Sequence, residues 1–202
     1  MSDITLYGFP ISTYVRTARI ALAEKGVAYE LLPFEPNTEE MIAVNPTGKV
    51  PAFKHEDFVL YETLAITKYI DQAFDGPALQ PADAKERAIM NQWISYINAY
   101  VFQELIHEIA LFRFEIMPLD QSVLDAAIPK AKAHLALLDK TLSTNNYLTG
   151  SQASLADYFL YPILAFFGMI PEGSLLADYS GVSAWMTRME EKSSVKESAP
   201  TL

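Results

Sequence analysis

The sequence contains no cysteine and only three histidines among its 202 residues. The first absence excludes disulfides, thiolate metal ligands and a cysteine nucleophile, so any thiol chemistry would use a thiol brought by a ligand. His55, His107 and His134 are scattered, with no pair at the spacing of metal ligands. We therefore expect no metal.

Positive charge and long hydrophobic runs are also scarce. The formal net charge is −10, so the chain repels phosphate, and nucleic acid is not an expected partner. No apolar stretch approaches the length needed to span a bilayer, and no positively charged segment followed by an apolar run marks a secretory signal. We expect a cytoplasmic protein that does not bind membranes.

The first part of the chain alternates strand and helix patterns. Apolar residues that alternate with polar ones predict strands, and apolar residues at helical spacing predict helices. The predicted order is a strand (4–8), a helix ending at Gly26, a strand (27–31), a short irregular helix (35–45), a hairpin (52–54 with 58–61) and a helix carrying Ile66 and Ile70. A β-α-β unit followed by a hairpin and a helix predicts a mixed four-stranded sheet, which is the plan of a thioredoxin-like domain.

Beyond a proline- and glycine-containing linker at residues 76–81, the pattern is entirely helical. Ser154 and Asp157 form a capping-box pattern before an apolar run, and Trp185 marks a last helix before a polar tail. Two stripes of apolar residues predict two long helices, one with Ile89, Trp93, Ile97, Val101 and Leu105, the other with Leu124, Ile128, Ala131, Leu135, Leu138 and Leu142. We expect an α/β domain over residues 1–76 and an all-α domain over residues 84–202.

Three stretches carry a family resemblance: NPTGKVPAF at 45–53, YETLAITKYI at 61–70 and ASLADY at 153–158. Each is weak alone, but their order and spacing together make a strong signal. With Ser12-Thr13 at the entrance of the first helix, the chain resembles the glutathione transferase superfamily, of the bacterial type with a serine active site. The resemblance implies an α/β thioredoxin-like domain followed by an all-α domain, glutathione as co-substrate without a metal, a role in detoxification, and a homodimer.

Pro51 is unusual because a proline lacks the N–H that a strand ladder needs, yet it stands where the strand 52–54 begins. In the resembled family the matching proline is cis. The resemblance implies that Val50 then exposes its N–H and C=O to the cysteine of glutathione, which adds like a short strand. The alternative is an ordinary trans proline at the start of an edge strand.

By the same resemblance, Ser12 is the candidate catalytic residue, whose hydroxyl would donate to the sulfur of glutathione. Tyr7 is the main rival, since several classes of the family use a tyrosine after the first strand. Tyr7 lies one position away from the family register, so we expect it on the other face of the strand. Thr13 and Tyr14 also remain open, and Ser12 would serve equally as a helix cap.

The remaining glutathione contacts are also implied by the resemblance. Thr63, at a helix entrance, would hold the γ-glutamyl carboxylate, and Glu62 would accept from its ammonium group. The alternative for Thr63 is a simple cap. Lys49 would meet the glycine carboxylate, unless it is only a solvated charge. The acidic Glu39 and Glu40 would oppose the dianionic end of the tripeptide unless they point to solvent.

An electrophile pocket is expected between the domains. Its candidate residues are Phe9, Ile11, Tyr100, His107, Leu111 and Phe112, although aromatic residues at helical spacing are more often core. The predicted function is that of a glutathione transferase acting on an apolar electrophile. The alternatives are a glutathione-dependent isomerase, dehalogenase or peroxidase on the same fold, or a binding module without turnover.

Overall fold

The computed structural model describes residues 3–200, which form two compact units. The first unit contains residues 3–79 together with 190–200, and the second contains residues 80–189. The sequence predicted domains of 1–76 and 84–202, whose terminal residues 1, 2, 201 and 202 lie outside the described part. The two divisions differ at the boundary, which lies between 79 and 80, and in residues 190–200, which belong to the first unit.

A four-stranded sheet forms the centre of the first unit, in the order β2-β1-β3-β4. The strands are β1 (Ile4–Tyr7), β2 (Glu30–Leu32), β3 (Ala52–His55) and β4 (Phe58–Tyr61). β1 pairs with β2 in parallel and with β3 antiparallel, and β3 and β4 form the hairpin. The predicted mixed sheet is confirmed. β2 begins later than predicted because the N–H of Val27 still bonds the C=O of Leu22, at 2.9 Å, in the end of the preceding helix.

Three helices of the first unit follow the strands in the predicted order, and a fourth comes from the end of the chain. They are α1 (Thr13–Glu24), α2 (Glu39–Val44), α3 (Thr63–Ala73) and, numbered in chain order, α9 (Ser193–Glu197). α1 packs against both α3 and α9. This arrangement fixes the position of the first turn of α1.

The second unit is helical. It contains α4 (Ala84–Tyr96), a π-helical segment (Ile97–Ala110), α5 (Leu111–Arg113), α6 (Gln121–Leu142), α7 (Leu155–Phe167), a 3₁₀ segment (Pro171–Asp178) and α8 (Ser180–Glu190). The predicted stripe from Trp93 to Leu105 is buried, but Ile89 is 46% exposed, and Met90 takes the buried position instead. Among residues 3–200, no helix is both long enough and apolar enough to cross a bilayer.

Asp157 organises the core of the second unit. Its carboxylate accepts from the N–H of Ser154, at 2.9 Å, which is the predicted capping box at the start of α7. It also accepts from the N–H of Leu148 and from the indole N–H of Trp185, both at 2.9 Å, and from the hydroxyl of Ser154. Complete burial raises the pKa of Asp157, while these hydrogen bonds oppose the rise. One carboxylate thereby joins a loop and two helices.

Candidate active site

Ser12 is the N-cap of α1, with extended backbone angles, and its Oγ accepts from the N–H of Val15 at 3.4 Å. A hydroxyl has two acceptor lone pairs and one donor hydrogen. Capping the helix uses a lone pair and leaves the hydrogen free to donate to another group. Ser12 is half-buried, and its backbone C=O accepts from the N–H of Arg16 at 2.9 Å, which fixes the first turn of α1. The cap and the predicted sulfur donor are therefore compatible roles.

Gly8 brings the entrance of α1 against the loop that precedes β3. Its φ is 138°, a conformation that side chains rarely adopt. A Cβ placed on Gly8 would lie 2.5 Å from a methyl carbon of Val15 and 2.9 Å from the Cβ of Val50. Only the absence of a side chain lets the first turn of α1 and Val50 approach this closely. Ser12 and Val50, which the resemblance assigned to one ligand, are therefore on neighbouring segments.

The peptide bond between Val50 and Pro51 is cis, as the resemblance implied. β3 begins only at Ala52, which pairs with Tyr7, so Val50 lies outside the strand ladder. Pro51 is buried, whereas Val50 is partly exposed. The alternative of a trans proline at the start of an edge strand is wrong.

Asn45 holds the turn before Val50 in place. Its side-chain N–H donates to the C=O of Lys49 at 2.6 Å, and its side-chain oxygen accepts from the N–H of Thr47 at 3.0 Å. Asn45 is almost completely buried, while the side chain of Lys49 is exposed. In the sequence, Asn45 stood out only as the first residue of the stretch NPTGKVPAF. Its position in the NPTGK motif, four residues before Lys49, is the signal that could have indicated that its side chain holds the turn.

The start of α3 is an open helix N-terminus. The N-cap is Glu62, which makes no side-chain capping bond, and Thr63 is the first helical residue. Thr63 is therefore not the cap that the alternative interpretation supposed. The first N–H groups of a helix have no partner within it and attract anions, so this end is suited to a carboxylate.

Glu62 adopts φ 69° and ψ 115°, which is rare for a residue other than glycine. Backbone strain of this kind costs about 1–3 kcal/mol and clusters at functional sites. The side chain of Glu62 is exposed, so its carboxylate is accessible to a cationic group. Glu39 and Glu40 in α2 are also exposed, which is the condition under which they would not oppose the anionic end of glutathione.

The rival hydroxyls lie in other surroundings. Tyr7 is buried in a cluster with Met41 of α2 and Ala52, and its ring packs against Phe34 with centroids 5.1 Å apart. Thr13 is also buried. Burial, followed by the negative charge of Glu62, raises the pKa of Tyr14, which disfavours a phenolate there.

The six residues predicted for the electrophile pocket differ in exposure. Ile11 is 40% exposed and Tyr100 is 53% exposed, while Phe112 is 8% exposed. Phe9, His107 and Leu111 are partly buried. The pocket itself stays a prediction.

Within residues 3–200, no group of three or more histidine, aspartate or glutamate side chains is placed to hold a metal ion.

Comparison with known proteins identifies the family. The sequence matches the family described as "Glutathione S-transferase, N-terminal domain" over residues 6–78, and "Glutathione S-transferase, C-terminal domain" over residues 102–192. It is similar to glutathione S-transferase 1 of Zea mays, with 31% identity over 98% of this chain and 97% of that protein.

Two solved structures illustrate the likeness. Glutathione S-transferase-I bound with lactoylglutathione is 30% identical, with a TM-score of 0.85 over 97% of this chain and 98% of that one. The theta class glutathione S-transferase of Xanthomonas axonopodis pv. citri, with glutathione bound, is 27% identical, with a TM-score of 0.84 over 100% of this chain and 99% of that one. The predicted fold, a thioredoxin-like domain followed by a helical one, is thus confirmed. With this identity along nearly its whole length, the chain belongs to the glutathione S-transferase family and is a glutathione transferase.

Proposed function

We propose that this transferase binds glutathione on residues 3–79, with the hydroxyl of Ser12 donating a hydrogen bond to the glutathione sulfur. The observation that carries the proposal is the contact of Gly8 with both Val15 and Val50. That contact puts the helix entrance capped by Ser12 next to a backbone segment outside the strand ladder. A thiol at this point meets a hydroxyl donor and the N-terminal end of a helix together.

Ionising the glutathione thiol at pH 7 needs only a small free energy of stabilisation. A cysteine thiol has an unperturbed pKa of about 8.5, so half-ionisation at pH 7 needs about 2 kcal/mol of thiolate stabilisation. A hydrogen bond to a charged group contributes about 1.5–3 kcal/mol, and a helix N-terminus adds about 0.3–1 kcal/mol. The two contributions together are sufficient without a protein base. The proton leaves to solvent, and the sulfur lone pair forms the new bond to an electrophilic carbon. With an aryl halide, the carbon–halogen bond then breaks and the halide ion leaves with the bonding pair.

The rest of the tripeptide would be held at three points. The backbone N–H and C=O of Val50 bond the cysteine unit of glutathione, next to Pro51. The open N-terminus of α3, with the amide and hydroxyl of Thr63, binds the γ-glutamyl carboxylate, and the exposed Glu62 accepts from its ammonium group. Lys49, exposed after the turn that Asn45 holds, meets the glycine carboxylate.

The co-substrate we propose is a small apolar electrophile. The same thiolate would serve isomerisation, dehalogenation or peroxide reduction, so assays with aryl halides, epoxides, enals and hydroperoxides separate these reactions. A homodimer and a cytoplasmic location are further parts of the proposal, both taken from the sequence analysis.

The Ser12→Ala variant tests the proposal. Loss of a hydrogen bond worth about 1.5–3 kcal/mol should lower kcat with an aryl halide by about 10–150-fold. The KM for glutathione should change little, because the tripeptide keeps its other contacts. Ser174→Ala, which removes an exposed hydroxyl in the second unit, is the matched control and should keep full activity. Unchanged turnover in Ser12→Ala would refute the proposal.

A further inference from the structure

Residues 192–198 are held against α1 at both ends of α9. At the start of α9, the Nζ of Lys192 lies 3.1 Å from the carboxylate of Glu24, which also accepts from the hydroxyl of Ser194. At its end, Arg19 donates to the C=O of Ser198 at 2.9 Å and to that of Glu197 at 3.1 Å. The last carbonyls of a helix have no partner within it, so guanidinium groups are suitable donors there.

Arg16 also links α1 to segment 192–198, through buried hydrogen bonds. Its Nη2 donates to the C=O of Val195 at 3.3 Å, and its Nε donates to the Oγ of Ser198 at 3.4 Å. The hydroxyl of Ser198 in turn donates to the C=O of Val195 at 2.9 Å. Arg16 is 9% exposed, and a buried guanidinium needs such partners, because an unpaired buried charge is strongly destabilising.

Arg16 also belongs to the first turn of α1. Its backbone N–H bonds the C=O of Ser12 at 2.9 Å, so the residue that grips α9 is hydrogen-bonded to the N-cap itself. A shift of α1 along or about its axis would move the Ser12 hydroxyl with it. Because misplacement of a reacting group by about 1 Å can cost about a hundredfold in rate, the anchoring of α1 bears on turnover.

We propose that Arg16 is a positioning residue of the transferase reaction: with segment 192–198 it holds α1 where the Ser12 hydroxyl reaches the glutathione sulfur. This inference rests on the proposed function of Ser12. It assigns a role in turnover to segment 192–198.

The test compares Arg16→Met, Arg16→Lys and Ser198→Ala in the full chain. Arg16→Met keeps the length of the side chain and loses its donors. We expect kcat to fall about tenfold, with a less than twofold change in the KM for glutathione. The pH midpoint of thiolate absorbance by bound glutathione should rise by about one unit, which corresponds to the same tenfold factor. Ser198→Ala should act in the same direction with a smaller effect, and Arg16→Lys should restore part of the loss.

Arg188→Met is the matched control, since it removes guanidinium bonds to the C=O of Asn146 within the second unit and should leave both readouts unchanged. An unmoved thiolate midpoint in a folded Arg16→Met variant would overturn the inference, whatever happens to kcat. So would a full tenfold loss when Arg16→Met is added to Ser12→Ala, because the effect would then not act through Ser12. Ser12→Ala alone decides the proposed function, so the two failures are distinguishable.

Discussion

The hydroxyl of Ser12 can cap α1 and donate to a ligand at the same time, because the two tasks use different parts of the group. The open start of α3 shows the complementary case, in which the N-cap, Glu62, leaves the helix end without a side-chain partner. One helix entrance is thus capped by a hydroxyl that still has a hydrogen to donate. The other is left open for an anion. In the proposed function, this difference separates thiol activation from tripeptide binding.

Thr63→Val should therefore weaken glutathione binding without slowing the chemistry. Valine keeps the shape and the backbone N–H but loses the hydroxyl, so we expect the KM for glutathione to rise about fivefold, equivalent to about 1 kcal/mol. The kcat should stay within about twofold. Steady-state kinetics at varied glutathione concentration measures both constants. Thr63→Ser keeps the hydroxyl and should behave as the wild type; a fall in kcat with an unchanged KM would contradict this division of roles.

Some residues of the candidate site could be predicted from the sequence, and others could not. Ser12, Val50 and Pro51 could be named as candidates because their motifs are short and continuous in sequence. Arg16 could not, because its bonds to segment 192–198 go to a serine hydroxyl and to the backbone C=O of Val195, about 180 positions away. Every residue carries a backbone C=O, so the sequence does not show which of them accepts a bond from Arg16. Segment 192–198 was therefore interpreted only as a polar tail.

At the scale of elements, α1 and α3 are joined at their far ends by a buried ion pair. Lys25, the C-cap of α1, lies with its Nζ 2.9 Å from a carboxylate oxygen of Asp71 in α3, and both side chains are less than a tenth exposed. The same carboxylate accepts from the N–H of Leu79 at 2.8 Å. The two helices whose entrances carry Ser12 and Thr63 are thus held in register.

Removing the charge of Asp71 should destabilise the protein strongly. Asp71→Asn keeps an acceptor for Leu79 but leaves the ammonium of Lys25 buried without its anion, so we expect the free energy of unfolding to fall by about 3 kcal/mol. Adding Lys25→Met removes the uncompensated charge and should recover much of that loss. Urea denaturation of both single variants and the double variant measures the effect. A double variant no more stable than Asp71→Asn would show that the ion pair is not the cause.

Most of the elements followed from local patterns. Hydrophobic spacing predicted one long helix over residues 89–105, and the π-helical geometry of Ile97–Ala110 was not foreseen. A repeat of four fits α- and π-helical bonding almost equally well, so the pattern does not distinguish them. The packing of α9 on α1 was also not predicted, because it depends on bonds to backbone C=O groups that are distant in sequence.

At the scale of the whole molecule, the resemblance predicts a homodimer. We expect light scattering after size-exclusion chromatography to give twice the mass of a 202-residue chain. The net charge of −10 makes like chains repel, so the measurement is best made at physiological ionic strength, where the Debye length is about 8 Å. A mass equal to one chain over the working concentration range would contradict this prediction.

The most direct test of the central claim is the ultraviolet absorbance of the glutathione thiolate in the binary complex, followed against pH. If the Ser12 hydroxyl stabilises the thiolate, the wild-type midpoint should lie near or below pH 7, against about 8.5 for an unperturbed cysteine thiol. The Ser12→Ala complex should titrate at least about one unit higher, because it keeps the helix N-terminus but loses the donor. Equal midpoints in the two complexes, with glutathione bound in both, would contradict the assignment of Ser12.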